Sequence, residues 1–438
     1  MALGTALRAT EGCRRAPGMN ALTYLLGNGP TASPLGVRIS LFFGALFLAY
    51  GIIVPYFPVW LDARGLDPLQ ISTVTAAPLF IRLLVTPAIG LLADRLGNYR
   101  LVIVTLAWGA LALISGLSLV SGYVPILVIG VAFLLANGNM LPLIETVAVG
   151  GVRTQGLDYG RMRLWGSITF IIANFVGGLA IEALGGGFAL WLIAFAVIST
   201  IAAAHALPPP PVTARTATVQ RFDWRASSPA RLLQSRLFIL FLIAIGCTHG
   251  AHATFYTFGA LHWQAQGLSA AWVGTLWAIG VVAEVVLFAL SAPVVRRFGP
   301  AELIVAGAAA SVLRWGVMAF DPPLAVLIPL QLLHALTYGA AHLGAILFIT
   351  RAVPHKGMGS AQAFYATIAA GLALGIVGLI SGALFARIGG EVYFVPTVVA
   401  LIGCVASVML LYGWNGGALW ADDADTAAPS PTAPAVAG

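Results

Sequence analysis

Charge is the scarcest commodity in this chain. Only 8% of its 438 residues are Asp, Glu, Lys or Arg, while 60% are hydrophobic. A water-soluble domain carries roughly 25% charged residues. The polar surface is too small to coat a globule, so lipid must solvate most of it. Lysine is nearly missing, with Lys356 the single example. No basic run is interleaved with aromatics. The formal charge of +7 therefore reads as arginine-bearing loops facing anionic lipid, not as a nucleic-acid surface. Cysteine is equally sparse. Cys13, Cys247 and Cys404 offer neither a disulfide framework nor a metal-ligand spacing. No metal and no cofactor is expected.

The motifs of catalysis are also missing. There is no G-x-S-x-G, H-E-x-x-H, Walker or paired-cysteine pattern, which argues against an enzyme. No polar segment is long enough to be an effector domain, which leaves a membrane receptor with little support. Residues 1–35 hold Arg8, Arg14 and Arg15 but no apolar run before Pro34, so they read as a cytoplasmic tail and not a secretory signal. Met19 offers a second start.

Long apolar runs are what the sequence does have. A membrane-spanning helix takes about 20 such residues. Twelve candidates lie near 37–60, 69–92, 101–121, 124–148, 163–184, 187–206, 237–262, 271–294, 302–320, 323–349, 361–385 and 392–413. The segment 207–235 is excluded from the bilayer by Pro208 to Pro211 and four arginines. The expected fold is an all-α membrane protein of twelve transmembrane helices in two pseudo-symmetric six-helix bundles, at 36–206 and 236–413. Between them runs a cytoplasmic linker, 207–235. Residues 414–438, with Asp422, Asp423 and Asp425, read as a disordered acidic tail. With an inner N-terminus, every Lys and Arg falls in inner segments except Arg64 and Arg387 outside and Arg82 and Arg314 within spans. The positive-inside rule then puts both termini in the cytoplasm of a bacterial-type inner membrane.

Between spans 2 and 3 stands Gly90-Leu-Leu-Ala-Asp94-Arg95-Leu-Gly97-Asn-Tyr-Arg100. It resembles the signature loop of the major facilitator superfamily, G-x-x-x-D-R-x-G-x-x-R. Gly90 would permit close helix packing, and Asp94 would pair with inner arginines and accept from a helix N-terminus. Such a pair would latch a rocking bundle. The corresponding loop of the second half, Ala292 to Gly299, keeps Arg296, Arg297 and Gly299 but has no aspartate. Tyr159-Gly160-Arg161-Met162-Arg163-Leu164-Trp165-Gly166 resembles the start of span 5 in the lactose permease group, with Glu145 placed as that group's sugar-binding carboxylate is. Gly246 to His252, Leu261 to Gly267, Gly280 to Glu284, His342 to Ala345 and Arg351 to Gln362 are similar to the phenylpropionate permease branch. The resemblance covers about residues 37–412. It implies a secondary transporter without catalytic residues, active as a monomer, driven by the proton gradient and carrying a small organic solute.

Ionisable groups inside a bilayer cost several kcal/mol, roughly 2.5–3.5 even on insertion scales, so they are kept for pairing or function. Glu145 shares a helical face with Asn137. Arg163, Ser167, Phe170 and Asn174 make one stripe. Asn137, Glu145, Arg163, Trp165 and Phe170 are candidates for holding the solute, with Trp165 or Phe170 stacking on it. His249 and Tyr338 are candidates from the second half. Glu284, Arg314 and His334 are candidates for handling the proton. A carboxyl out of water holds its proton firmly, and an approaching guanidinium loosens it. Histidine adds a relay. Within the resemblance, Thr337 stands where the lactose permease group carries a proton-bearing carboxylate, and Gln331 where it has lysine. The duty is therefore given to Glu284, assisted by His334. The expected solute is an aromatic carboxylate such as phenylpropionate, or a sugar or nucleoside. Export of drugs or metabolites is the alternative.

Overall fold

The computed structural model describes residues 33–209 and 228–420. The arginines and prolines of the remaining segments, Cys13, Met19 and the tail aspartates lie outside the described residues. All regular structure among the described residues is helical. The membrane helices are α1 (Pro34–Ala63), α2 (Pro68–Leu96), α3 (Tyr99–Leu119), α4 (Tyr123–Gln155), α5 (Tyr159–Leu184) and α6 (Ala189–Ala206). They continue with α7 (Arg236–Ala265), α8 (Ala270–Ala289), α9 (Pro300–Met318) and α10 (Leu324–Ala352). The last two are α11 (Met358–Thr367 and, after a π-helical turn, Ala373–Ile388) and α12 (Phe394–Gly413). The apolar stretch Ala373–Gly413 runs for 41 residues, about twice one crossing. It breaks at Gly389, whose φ of 54° admits few side chains.

Short polar residues start these helices. Ser33, Asp67, Asn98, Asp158, Ser235 and Ser269 each accept from a backbone N–H of the first turn, which satisfies donors that lipid could not. Large apolar side chains are left outside: Leu84 is 80% exposed and Leu119 86%. On a soluble protein such a surface would aggregate; here it meets lipid.

The expected order of spans is observed, with three corrections. Span 8 stops at Ala289, and Ser291–Arg297 forms a separate short helix, since Pro293 has no N–H to continue the ladder. Part of the expected linker is helical: Ser228–Gln234 buries Leu232 completely. The start of the expected disordered tail is docked. Leu419 N–H donates to Ala352 O at 2.7 Å, and Trp414 packs on Phe348 with ring centres 4.9 Å apart. Apolar side chains bury these pieces despite their polar neighbours.

In the first half α1 packs on α5 and α6, and α3 on α4 and α6. In the second, α9 and α7 pack on α12, and α9 on α10. The main contacts between halves run through α5–α8, α2–α11 and α1–α7. The closest cluster at one end. A Cβ on Gly274 of α8 would lie 2.1 Å from Asn174 O of α5, and one on Gly178 2.4 Å from Ala270 O. Gly382 of α11 faces Ser72 of α2, and Gly375 faces Phe80. These residues border the turns at Gly65, Gly185, Gly267 and Gly389. Toward the other end α2 stands clear: Leu91, Leu92 and Leu96 are each at least half exposed. The halves thus meet at one end and part at the other.

Candidate functional site

Arg314 on α9 anchors the second half, only 1% exposed. Its Nη2 donates to Gln331 Oε1 at 2.7 Å. Nη1 lies 3.2 Å from His334 Nδ1 and 3.3 Å from Thr337 Oγ1. The guanidinium also rests on Trp315 and Phe255, 4.5 and 5.1 Å from their ring centres. An arginine can only donate. His334 Nδ1 must therefore accept, so its proton sits on Nε2, which faces Glu284 Oε2 of α8 at 3.3 Å. This assignment follows from the network.

The same logic runs the other way. Thr337 Oγ1 accepts from Arg314 and is 3.0 Å from His252 Nε2. His252 Nδ1 faces the carbonyls of Thr248 and His249, both at 3.2 Å. Carbonyls only accept, so Nδ1 donates and Nε2 takes the Thr337 hydroxyl proton. This ring occupies the break in α7 between Gly250 and Ala253, where backbone carbonyls would otherwise lose partners. Arg314 was expected to approach Glu284 as it moves. Instead His334 stands between them, because α10 inserts its polar stripe between α8 and α9.

That stripe continues as a ladder of rings. His334, Tyr338 and His342 stack in parallel with centres 5.6 and 6.1 Å apart, a consequence of spacing by four on one face. Tyr338 lies on the π-helical turn Ala335–Ala340, a deformation frequent at functional sites. His249 stacks on Tyr338 at 4.9 Å, its Nε2 without a hydrogen-bond partner. His342 Nδ1 meets Tyr365 Oη of α11 at 2.7 Å.

In the first half, Glu145 sits well inside α4 and Arg163 in the second turn of α5. No direct ion pair joins them among the described residues; Tyr159 donates to Glu145 at 3.4 Å and feels both charges. The ring on Arg163 is Phe47 of α1, 3.8 Å below the guanidinium, with Phe43 at 5.7 Å. Trp165 follows Arg163 by two positions, about 200° around the helix, and is 44% exposed on that other face. Phe170 backs onto Gly51 of α1. Asn137 is 1% exposed with Oδ1 unpartnered. Tyr50, which sequence spacing did not single out, lies in the fields of Arg82, Glu145 and Arg163. Tyr338 feels Glu284 from its own half and both Arg163 and Glu145 from the other. Tyr338 thus lies within electrostatic reach of both polar groups.

At the loop motif Asp94 accepts from Tyr99 Oη rather than from an arginine. Arg95 is exposed, and Arg100 Nη2 donates to His205 O at 2.8 Å, closing α3 onto α6. Gly97 caps α2 in the left-handed region at φ 59°. A Cβ on Gly90 would meet nothing within 4 Å, so the expected close packing is not made in this conformation, where the bundles part at that end.

The comparisons with known proteins agree with this architecture. The chain matches the MFS_1 like family over residues 37–395. It is 32% identical over 359 residues to the "Probable 3-phenylpropionic acid transporter" of Escherichia coli (strain K12), covering 81% of this chain and 92% of that protein. It is 26% identical to the maltose permease of Geobacillus stearothermophilus, over 84% of this chain and 93% of that one. The crystal structure of the nucleoside transporter NupG superposes with a TM-score of 0.72 at 17% identity, covering 86% and 98% of the two chains. Twelve apolar helices in two halves, a signature loop between α2 and α3 and this family match together make the chain a multi-pass membrane transporter that belongs to the major facilitator superfamily.

Proposed function

We propose that the protein is a proton-coupled symporter that takes up a small organic carboxylate by alternating access. The observation that carries this reading is the hydrogen-bonded line Arg314–His334–Glu284, buried between helices and opening on the space that Tyr338 shares with Arg163 and Glu145. A guanidinium fork binds a carboxylate bidentately, and Arg163 is the arginine not already engaged by the second half's network. Glu284, held by His334 Nε2–H, takes the proton from outside; losing its charge lets the loaded carrier reorient. Release toward the cytoplasm resets it. Likeness to a 3-phenylpropionic acid transporter supports an aromatic carboxylate, and likeness to the maltose permease supports a sugar as the second reading.

Arginine placement by the positive-inside rule puts both termini in the cytoplasm. The open end, which carries the Asp94 loop, is then cytoplasmic and this conformation faces inward. Uptake into proteoliposomes under an imposed pH gradient tests the proposal. Glu284→Gln should abolish gradient-driven accumulation while leaving solute counterflow measurable. Accumulation that survives the substitution removes Glu284 from the proton path. Resistance to toxic compounds without any uptake would favour export.

A further inference from the structure

An apolar pocket lies between the halves where they close. Ile53, Val54 and Phe57 of α1, Ala76 and Leu79 of α2 and Leu134 of α4 form its first wall; Ala253, Tyr256 and Thr257 of α7 and Leu374 and Gly378 of α11 form the second. Its polar groups are few. Thr75 Oγ1 already donates to Ile71 O at 3.1 Å. A sugar ring placed there would leave hydroxyls without partners, at a cost of about 1–3 kcal/mol for each one.

The pocket stands in fixed register with the polar site. On α1, Tyr50, which feels Arg82, Glu145 and Arg163, precedes Val54 by one helical turn. On α7, His252 of the Arg314 network precedes Tyr256 by the same spacing, with ring centres 5.6 Å apart. Tyr256 itself feels Glu284 and Arg314. In the second half the Arg314 network and the apolar wall thus stand about 6 Å apart along α7, four residues at 1.5 Å each; in the first, Phe47 under Arg163 precedes Val54 by seven residues, about 10 Å.

We propose that this pocket seats the apolar end of the solute while the charged level holds its carboxylate. The substrate class is then an aryl-alkanoic acid with ring and carboxylate about one to two helical turns apart, not a sugar or a nucleoside. This assignment rests on the uptake reading above and narrows it.

The test compares uptake of 3-phenylpropionate, propionate, a naphthyl-propionate and maltose in proteoliposomes. Gly378→Val fills the pocket. A Cβ there would sit 3.8 Å from Ala253 Cβ and 3.9 Å from Ala76 Cβ, so the backbone accepts a side chain. Gly378→Val should lower the ratio of phenylpropionate to propionate uptake by about tenfold, the scale of one misplaced methylene in an apolar site. Leu134→Ala enlarges the pocket and should raise the ratio of naphthyl to phenyl uptake by a similar factor. If the wild-type protein carries phenylpropionate but neither variant changes these ratios, the pocket assignment fails and the uptake reading stands. If wild type carries maltose and no carboxylate, both fail.

Discussion

The guanidinium of Arg314 orders its surroundings because it has no lone pair to offer. Every neighbour must present an acceptor, and that requirement fixes the protons of His334 and, through Thr337, of His252. Arg314→Met therefore removes more than a charge. It leaves His334 Nδ1 and Gln331 Oε1 buried without donors, each worth about 1–3 kcal/mol. The expected outcome is a lower unfolding temperature in detergent together with loss of gradient-driven accumulation. Arg314→Lys, a point donor without the fork, should recover part of the stability. A melting temperature unaffected by Arg314→Met would show the network to be idle. At this scale the sequence was informative where spacing on one helix decided the matter: Gln331, His334, Tyr338 and His342 follow one stripe. It was silent where partners came from another helix. Nothing in one chain of letters brings Phe47 under Arg163 or sets His334 between Arg314 and Glu284.

Helices were legible wherever apolar length and polar caps coincide, which is why the twelve spans and their order came through. Their interruptions were not. The break in α7 at Ala251–His252 and the π-helical turns in α10 and α11 depend on side chains such as His252 that re-satisfy freed carbonyls from tertiary positions. The small residues at the α5–α8 crossing were equally silent, since glycine in a membrane helix is common and its partner lies on a distant helix. The structure gives Gly274 a clear consequence. Its backbone is so near Asn174 O that Gly274→Leu cannot keep the closed end closed, much as small residues set close approach in membrane helices generally. Thr257, 7% exposed in the apolar pocket, reports on this. In a chain with Cys13, Cys247 and Cys404 replaced by alanine, Thr257→Cys should react about tenfold faster with an impermeant maleimide when Gly274→Leu is added, a shift of about 1.4 kcal/mol. Equal rates would mean that α8 yields without opening the end.

Across the whole molecule the two ends are built differently. The open end carries the conspicuous motif, Gly90 to Arg100, whose Asp94 is held by a phenol and whose Gly90 packs on nothing. Its legibility in the sequence owes to charges and glycines at set spacing. The closed end has no such signature. There the halves meet through backbone, and among the described residues one polar bond ties them: Ala271 N–H of α8 donates to Glu182 Oε2 of α5 at 3.0 Å. A carboxylate at the first turn of a helix also meets the positive end of its dipole. On the alternating-access reading proposed above, reorientation breaks this bond once per cycle, which makes it a weak clasp, not a lock. Glu182→Ala should raise maleimide labelling of Thr257→Cys by about two- to fivefold, the factor that an exposed charge–dipole contact supplies. Glu182→Gln keeps an acceptor oxygen and should fall between alanine and wild type. Because the contact is exposed, high salt should shrink the gap in labelling rate between Glu182→Gln and the unsubstituted clasp, as screening removes the charge but not the hydrogen bond. Rates indifferent to all three conditions would assign closure to the glycine packing of α5 on α8 and α2 on α11 alone.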